Sequence, residues 1–579
     1  MIELLRINFK DFLLLTLILI FAYHLRFYGL DWDSGRHMHP DERMLIMVTA
    51  TIQFPNNLNP DFFNYGSLPI YTLAGTAQFL DYFFNTSLDN YDGLLYVGRF
   101  ISLLIDLLIL LLIFKVTEIL FKNKMTSFLA SIFYALTFFP IQNSHFFIVD
   151  NFLSLFVLLQ VYVILLLFKN NLNHLIVALF SGTISAAIIT TKVTGVLFLP
   201  LTLLFIIVSY VIKNTSFLSW KNLFKNKLKI IIKSTLVLFA YTSSLLAFSF
   251  LFMPYAFLNS EKFINEITLQ LKMNSNPYVF PYTLQYVGTI PYWYYIKNIF
   301  LWGAGPILSS LFLIGLTYNF KQILKFIKEK QFRKISLSVI FITFYLLYFL
   351  VIGRSSVKFM RYMLLLYPVF AIYGASAGMM LFVFLKDKFT KSKNVFIRKI
   401  PHFYLYLLIF SVFIWCLTFI NIYSKENTRI TATNWIFENI KPGSRIAVEH
   451  WDDRVPIIDD GRYTFQEMTL YDIPDNDTKW NILNEKIKNS DYIILASNRL
   501  YVPLMRLQEC GEYGRCYPLT KKYYEDLFSG KLGFKKVAEF TSYPHLTILN
   551  KRFEIVDDSA DESFTVYDHP KIMIFERLK

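Results

Sequence analysis

The strongest constraint on the fold is a series of long apolar runs in residues 1–424. A membrane-spanning α-helix needs roughly 20 mostly apolar residues, because each residue rises about 1.5 Å through a hydrocarbon core about 30 Å thick. Eleven runs have this character: 9–29, 99–120, 125–142, 150–168, 173–190, 195–212, 233–254, 299–318, 335–352, 362–385 and 402–422. Only 17% of the residues are charged, which is also typical of membrane proteins. The sequence therefore predicts a mostly α-helical, polytopic membrane bundle of about eleven spans.

The basic residues predict how this bundle is oriented. Short cytoplasmic loops of membrane proteins are rich in Lys and Arg. If the N-terminus is cytoplasmic and the apolar segment 68–85 does not cross, every strongly basic loop lies on the cytoplasmic side. We therefore expect an integral membrane protein with a retained first span and an outer loop, 30–98, in which 68–85 is a surface helix. These loops also explain the net charge of +15, so no nucleic-acid partner is predicted.

Residues 425–579 have the composition of a soluble domain. TNWIFENI is typical of a short helix that KPG ends, and four segments have strand character: SRIAVEHW, DYIILASN, HLTILN and KIMIFE. This part is predicted to be a small mixed α/β domain on the extracytoplasmic side. Cys510 and Cys516 could form a disulfide if the domain faces an oxidising compartment.

The densest cluster of ionisable groups, DSGRHMHPDERML, follows the first apolar run at residues 33–45. Proline is favoured at the first position of a helix, so a helix is predicted to begin near Pro40. Asp41 and Glu42 would then lie in its first turn, where the backbone stabilises anions. A solvated pair that caps the helix is the ordinary interpretation, and a functional pair is the alternative. Asp33 is interpreted as a loop residue.

A second acid, Asp150, lies at the outer end of the fourth predicted span, in QNSHFFIVDN. Ionisable groups at the edge of a span are costly unless they have a use or reach water, and the Asp side chain is short. Asp150 is therefore either a helix cap or a functional acid. His145 lies nearby and could be its partner or a metal ligand.

Cations lie at the outer mouths of two spans, against the positive-inside pattern. Lys192 is in TTKVTG, and Arg354, Lys358 and Arg361 are in GRSSVKFMRYML. Cations at the depth of the lipid headgroups bind anionic phosphates well. Ordinary anchoring at the interface is the structural alternative.

The acids and cations are thus predicted to lie on one side of the membrane. An acid can deprotonate a hydroxyl while cations stabilise a departing phosphate, so this combination fits a group-transfer enzyme with a lipid-phosphate donor. A transporter or flippase of a lipid-linked saccharide is the alternative. Transporters usually hold ionisable groups near the midplane and have repeated halves, whereas these charges gather at span ends and no repeat is visible. A receptor or structural protein, in which the acids have no catalytic task, is a third interpretation.

Several motifs follow one another in a specific order along the chain: HPDER, FNYGSLPIY with GRFISLLIDLL, QNSHFFIVDNFLSLF, TKVTG and RYMLLLYPVFAIYGA. They resemble motifs of the GT-C superfamily of membrane glycosyltransferases, in the branch of protein O-mannosyltransferases and aminoarabinose transferases (glycosyltransferase family 39). PYTLQYVGTIPYWYYIKNIFLWGAGP and the tail DESFTVYDHPKIMIF are similar to an uncharacterised bacterial and archaeal subgroup. The resemblance covers most of residues 9–385 and the tail. It departs from the family where YGSLP replaces the HPPL of classical members.

The resemblance implies an inverting transferase that moves a sugar from a polyprenyl or dolichyl phosphate to an acceptor hydroxyl on the outer face. Asp41 would be the general base, and Glu42 would support it or bind the acceptor. Asp150, with His145, would bind the acceptor or a metal. Three cations would neutralise the lipid phosphate: Lys192, Arg361 and Lys358. The acceptor could be a protein, a glycolipid or an envelope polymer, and some relatives use a divalent metal ion whereas others do not.

Overall fold

The structure is a computed structural model that describes residues 8–170, 172–214 and 227–578. Within these ranges, nine helices are long and apolar enough to cross a membrane, or up to ten if one bent pair counts as a single span. The nine segments are Tyr91–Phe121, Val149–Lys169, His174–Thr191, Val193–Lys213, Ile231–Phe252, Gly305–Lys328, Phe332–Ile352, Met360–Phe389 and Val395–Asn439. The bent pair consists of Lys124–Ala135 and Phe138–Ser144, which meet at 59°.

The predominantly helical membrane bundle predicted from the sequence is confirmed, but the number of spans differs. Helix Phe9–Phe27 occupies the first predicted run and is not among the nine. It carries three charged residues, Lys10, Asp11 and Arg26, which make its composition less apolar than that of the other helices. The structure therefore supports nine or ten spans rather than eleven by length and composition.

Shorter elements connect the long helices. Four of the nine segments differ in their bounds from the individual helices that they overlap, which are Phe198–Asn214, Lys227–Phe252, Tyr367–Phe389 and Val395–Ile420. The connecting helices and turns are Pro40–Thr49, Ser67–Phe84, Val193–Leu197, Tyr255–Leu258, Ser260–Ser275, Pro281–Tyr286, Trp293–Asn298, Ile299–Gly303, Met360–Leu366 and Asn421–Ser424. Helix Ser67–Phe84 coincides with the predicted surface helix, and it is not among the span candidates in the described part of the chain.

A buried ion pair explains why the first helix carries a charge inside the bundle. Arg26 pairs with Asp106, and the hydroxyl of Tyr134 donates to the same carboxylate at 2.6 Å. The guanidinium also donates to the carbonyl of Ala135 at 3.1 Å, at the break between the two bent helices. A bend leaves backbone carbonyls without a helical partner, and a charge in the membrane needs a counter-ion. Arg26 therefore stabilises the bend.

The C-terminal part forms a small α/β domain, in agreement with the prediction. Its strands are β1 (Arg445–Glu449), β2 (Thr464–Met468), β3 (Tyr492–Leu495), β4 (Phe534–Phe540), β5 (His545–Ile548), β6 (Lys551–Glu554) and β7 (Ile572–Arg577). The main sheet has the order β2-β1-β3-β7-β4, in which the three first strands are parallel, and β5 pairs with β6. Its helices are Thr428–Asn439, Asp477–Lys488, Tyr501–Arg506, Cys510–Tyr513, Pro518–Phe528 and Glu562–Thr565. Cys510 and Cys516 form a disulfide.

The α/β domain is docked on one end of the bundle by residues 557–569, which leave the sheet between β6 and β7. Phe564 is fully buried in the same apolar cluster as the membrane helices. The amide nitrogen of Gln142 donates to the carbonyl of Phe564 at 2.8 Å and to the carboxylate of Asp568 at 2.9 Å. Because buried apolar and polar groups both cross this junction, the domain is fixed relative to the bundle.

Candidate active site

Helix Pro40–Thr49 places Asp41 at the junction of the bundle and the α/β domain. His39 caps the helix, and its ring nitrogen Nδ1 accepts from the backbone N–H of Glu42 at 3.4 Å. Burial lowers the pKa of His39 to about 3 although Asp41 opposes the shift, so the ring is neutral and accepts. Successive residues of a helix point about 100° apart. The two neighbouring acids therefore face different surroundings.

Asp41 forms a close ion pair with Arg361. Its oxygen Oδ2 lies 2.8 Å from the Nη2 atom of Arg361, and its Oδ1 accepts from the hydroxyl of Tyr65 at 3.0 Å. About a fifth of the side chain is exposed (20%). Burial raises the pKa of Asp41, but the charge of Arg361, with smaller contributions that include the hydrogen bond from Tyr65 and the charge of Lys192, outweighs it, so the pKa lies below its ordinary value. The structure therefore holds an ionised carboxylate at an accessible position.

Asp150 and Lys192 extend this pair into a chain of alternating charges. Asp150 lies in the first turn of helix Val149–Lys169, 3.8 Å from Nε of Arg361 and 2.7 Å from the ammonium of Lys192. Lys192 ends helix His174–Thr191, and its ammonium lies 4.3 Å from the centre of the Tyr362 ring. Four of the residues predicted from the sequence therefore meet, and they are called the ion-pair network: Asp41, Arg361, Asp150 and Lys192.

Arg361 has spare binding capacity inside this network. Its guanidinium carbon lies 4.3 Å from the centre of the Phe359 ring, which supports one face. Its Nη1 atom is buried and makes no hydrogen bond to any residue in the described part of the chain. A buried N–H without a partner is costly, and an anionic oxygen is the partner that a guanidinium binds best. The arrangement therefore fits an anionic group that is added to the network.

Glu42 lies outside the network, in a buried triad with Arg99 and Asp33. Arg99 donates to Glu42 at 2.8 Å and to Asp33 at 2.9 Å, and all three side chains are 0% exposed. Glu42 also accepts from the backbone N–H of Phe147 at 2.8 Å. Asp33, interpreted from the sequence as a loop residue, is thus a fully buried ion-pair partner. Glu42 has no surface for an acceptor, and its position fits the supporting role instead.

Three other residues that the sequence singled out do not join the network. His145 is buried, and its Nε2 atom donates to the carbonyl of Tyr28 at 2.9 Å. Lys358 is buried, its ammonium donates to the carbonyl of Ser356 at 3.1 Å, and burial lowers its pKa to about 8. Arg354 is exposed. Sequence spacing placed these side chains near the site, but it does not determine the direction in which they point.

The described side chains contain no preformed three-ligand metal site. Among them, no group of three His, Cys, Asp or Glu side chains converges as a metal site requires. Asp41 and Asp150 are bridged by Arg361 instead. Arg361 and Lys192 together supply the positive charge that balances the two acids.

Tyr65 was not predicted as a site residue, although it lies in the YGSLP motif. The neighbouring Gly66 packs so tightly that an added Cβ atom would lie 1.8 Å from the carbonyl oxygen of Thr190. Its N–H also donates to the carbonyl of Thr191 at 3.1 Å. Only glycine fits this close approach. The contact joins the outer loop to the helix end that precedes Lys192 and so positions Tyr65 against the network.

Comparisons with known proteins agree with this fold. Residues 91–239 match the family model described as dolichyl-phosphate-mannose-protein mannosyltransferase. No curated protein matches the sequence. The apo oligosaccharyltransferase of Archaeoglobus fulgidus has a TM-score of 0.51 at 13% identity, over 89% of this chain and 73% of that chain. The same enzyme with an inhibitory peptide and a dolichol-phosphate also gives 0.51 at 13% identity, over 95% and 74%. The apo form of ArnT from Cupriavidus metallidurans is less similar, with a TM-score of 0.44 at 12% identity over 85% and 94%.

The described part of the chain thus has the fold of a multi-pass membrane protein, and it shares that fold with the archaeal oligosaccharyltransferase. The matched family segment and this fold together indicate a glycosyltransferase, as the sequence motifs predict.

Proposed function

We propose that this chain transfers a sugar from a polyprenyl or dolichyl phosphate to an acceptor hydroxyl, with inversion at the anomeric carbon. The observation that carries the proposal is the ion-pair network, in which an accessible carboxylate lies beside a guanidinium with a buried, unpaired N–H. The family model that matches residues 91–239 describes transfer from dolichyl-phosphate mannose. The archaeal oligosaccharyltransferase of similar fold has a dolichol-phosphate bound.

The proposed reaction is a single displacement at the anomeric carbon of the donor sugar. The carboxylate of Asp41 takes the proton of the acceptor hydroxyl as its oxygen attacks the anomeric carbon. The bond between that carbon and the phosphate oxygen breaks, and its electron pair stays on the phosphate. Arg361 and Lys192 stabilise the additional negative charge. Attack from the face opposite the leaving group inverts the anomeric configuration.

Donor binding would also prepare the base. Without a donor, the charge of Arg361 holds the pKa of Asp41 low, which makes the carboxylate a weak proton acceptor. A phosphate on Arg361 neutralises part of that charge, so the pKa of Asp41 rises towards its ordinary value. Asp41 therefore becomes a stronger base when the donor is bound.

The site is proposed to face the outer side of the membrane. Two helices begin at the network and carry their basic residues in the last turn, at the other end: Lys169 in one, and Lys386 and Lys388 in the other. Basic helix ends favour the cytoplasm. The disulfide of Cys510 and Cys516 lies in the α/β domain, and disulfides persist in oxidising compartments. The acceptor is proposed to be a protein, a glycolipid or an envelope polymer.

The position of the charges favours transfer over transport of a lipid-linked saccharide. Asp41 lies in a short helix outside the spans, Asp150 in the first turn of a span, and Lys192 directly after one. Transporters usually place their ionisable groups near the middle of the membrane. A network at helix ends suits a reaction at the surface.

The variant Asp41→Asn tests the base directly. Amide nitrogen cannot accept the proton, so transfer should fall about 10²- to 10⁴-fold. Complementation of a deletion strain provides the assay: the lipid-linked sugar that accumulates without the protein should be cleared by the wild type and not by Asp41→Asn. Asp61→Asn is the matched control, because Asp61 lies in the same outer loop and is 63% exposed. Clearance by Asp41→Asn at the wild-type level would exclude Asp41 as the base.

A further inference from the structure

The segment of residues 557–569 reaches from the α/β domain to the network. Phe564 packs against the rings of Phe138 and Phe139 from the bent helix pair, with ring centres 5.8 and 6.2 Å apart. Helix Glu562–Thr565 packs on Met360–Leu366, the turn that carries Arg361. Residues 557–569, which the sequence assigns to the soluble domain, thus pack against the turn that carries Arg361.

Three ionisable side chains, called the clasp, join the two ends of this segment: Asp557, Asp568 and His569. His569 lies 2.9 Å from Asp557 through Nε2 and 2.5 Å from Asp568 through Nδ1, and all three are buried. Burial lowers the pKa of His569, but the two aspartates outweigh it and raise the pKa to about 10. The imidazole is therefore protonated at neutral pH and donates from both nitrogens. The segment between the two aspartates is held as a fixed loop.

This loop presents Tyr567 to the site. The Tyr567 ring lies 4.0 Å from the His39 ring and 6.1 Å from the Phe146 ring, centre to centre, and the residue is 6% exposed. Its hydroxyl lies close enough to Arg361 for the two groups to interact electrostatically. Burial raises the pKa of this hydroxyl, although the charge of Arg361 opposes the shift, so the group is a neutral donor at physiological pH.

Tyr567 and Arg361 meet at a small polar cavity. Both line it, together with His39 and Gln142, and it has room for about one water molecule. Two of its polar atoms are buried without partners in the described part of the chain, namely Nη1 of Arg361 and Oε1 of Gln142. Tyr567 therefore lines the same cavity as Arg361, whose Nη1 atom has no partner among the described residues.

We propose that Tyr567 is a substrate-binding residue, whose hydroxyl donates a hydrogen bond to the donor phosphate that Arg361 binds. This inference rests on the function proposed above and extends it, because it assigns part of the phosphate site to the C-terminal segment. The guanidinium supplies charge and the hydroxyl supplies a second donor, so that one oxygen of the phosphate would occupy the water-sized cavity that both residues line. The donor phosphate is then held between the bundle and the α/β domain.

The affinity of the full-length protein for a polyprenyl phosphate tests this, with the corresponding polyprenol as the phosphate-free probe. In nanodiscs, Tyr567→Phe keeps the ring against His39 and Phe146 and loses only the hydroxyl. Hydrogen bonds to charged groups are the stronger ones, so the Kd for the lipid phosphate should rise about tenfold or more. Thr565→Val is the matched control, because this buried hydroxyl on the same segment bonds the carbonyl of Glu562. Its Kd should equal that of the wild type.

The outcomes separate the two proposals. An unchanged Kd for Tyr567→Phe overturns the assignment of Tyr567. Equal weakening towards polyprenyl phosphate and polyprenol also overturns it, because a lost hydrogen bond to phosphate affects the first lipid alone. If the wild type binds both lipids equally, phosphate recognition itself fails, and with it the proposed function.

Discussion

Replacing Arg99 with methionine should destabilise the protein strongly, because one cation neutralises two buried acids. Arg99, Asp33 and Glu42 are all 0% exposed, and the guanidinium also donates to the carbonyl of Leu30 at 3.0 Å. Removing one partner of a buried ion pair costs about 3–5 kcal/mol. Since two carboxylates lose their partner here, we expect a loss near the upper end, about 5 kcal/mol. Glu42 directly follows Asp41 in the same helix. Disruption of the buried triad should therefore also displace Asp41 and lower the transfer activity.

The pH dependence gives this prediction a distinctive signature. In the wild type, burial raises the pKa of Asp33 but Arg99 outweighs it, so the pKa lies below the ordinary 3.8. The stability from this pair is present above pH 3.8 and is lost only as pH falls through the lower, folded-state pKa. Burial already raises the pKa of Glu42 in the wild type; in Arg99→Met the pKa of Asp33 should also be raised and that of Glu42 raised further, so both carboxyls bind protons on folding. The stability of the variant should therefore increase as pH falls from 7 towards 5.

Thermal unfolding in detergent, followed by intrinsic fluorescence at pH 7 and pH 5, measures both effects. Arg43→Met is the matched control, because Arg43 lies on the same short helix and pairs with Asp453 at 3.2 Å. Both of these side chains are more than a third exposed (37% and 35%), and such pairs contribute about 0–1 kcal/mol. If Arg99→Met unfolds at the same temperature as Arg43→Met, with no gain at pH 5, the buried triad is not the support inferred here.

Two further variants test the clasp and the phosphate site. His569→Gln removes a charge between Asp557 and Asp568, and should lower the unfolding midpoint at pH 7. Because folding raises the pKa of His569 from 6.5 to about 10, the wild type should lose the same contribution progressively as pH rises from the first value to the second. An unfolding midpoint equal to that of the wild type at pH 7 would contradict this. Lys192→Met removes the ammonium 2.7 Å from Asp150, and should weaken polyprenyl phosphate binding about tenfold or more. The Kd is measured in nanodiscs as for Tyr567→Phe, and an unchanged Kd would show that Lys192 does not bind the phosphate.

The sequence predicts the bundle and the four members of the network for one physical reason. Apolar runs of spanning length become helices, and their ends alternate between the two sides of the membrane. Asp41, Asp150, Lys192 and Arg361 each lie at such an end, and loop charges assign all four to one side. Groups confined to one end of a bundle are already close. The ion pairs among them therefore agree with a topological argument.

The buried triad and the C-terminal segment were outside the reach of that argument. Arg99 begins an apolar run and its partners lie in the preceding loop, so nothing in its local sequence shows that it is fully buried. Tyr567 lies in a segment of polar composition, which gives no sign that it leaves the sheet and enters the bundle. Such contacts depend on long-range packing and on side-chain direction. His145 and Lys358 show the same limit, since lying at the same end of the bundle did not place them in the network.

The clasp around His569 has a consequence for biosynthesis. The wall of the proposed phosphate site comes from residues just before β7, whereas the base comes from the first outer loop. A nascent polypeptide whose helices are already inserted therefore lacks a complete site until the last strand has joined its sheet. An interrupted or truncated product would occupy the membrane without consuming the lipid-linked donor. Activity of the proposed enzyme would thus depend on synthesis through residues 557–569.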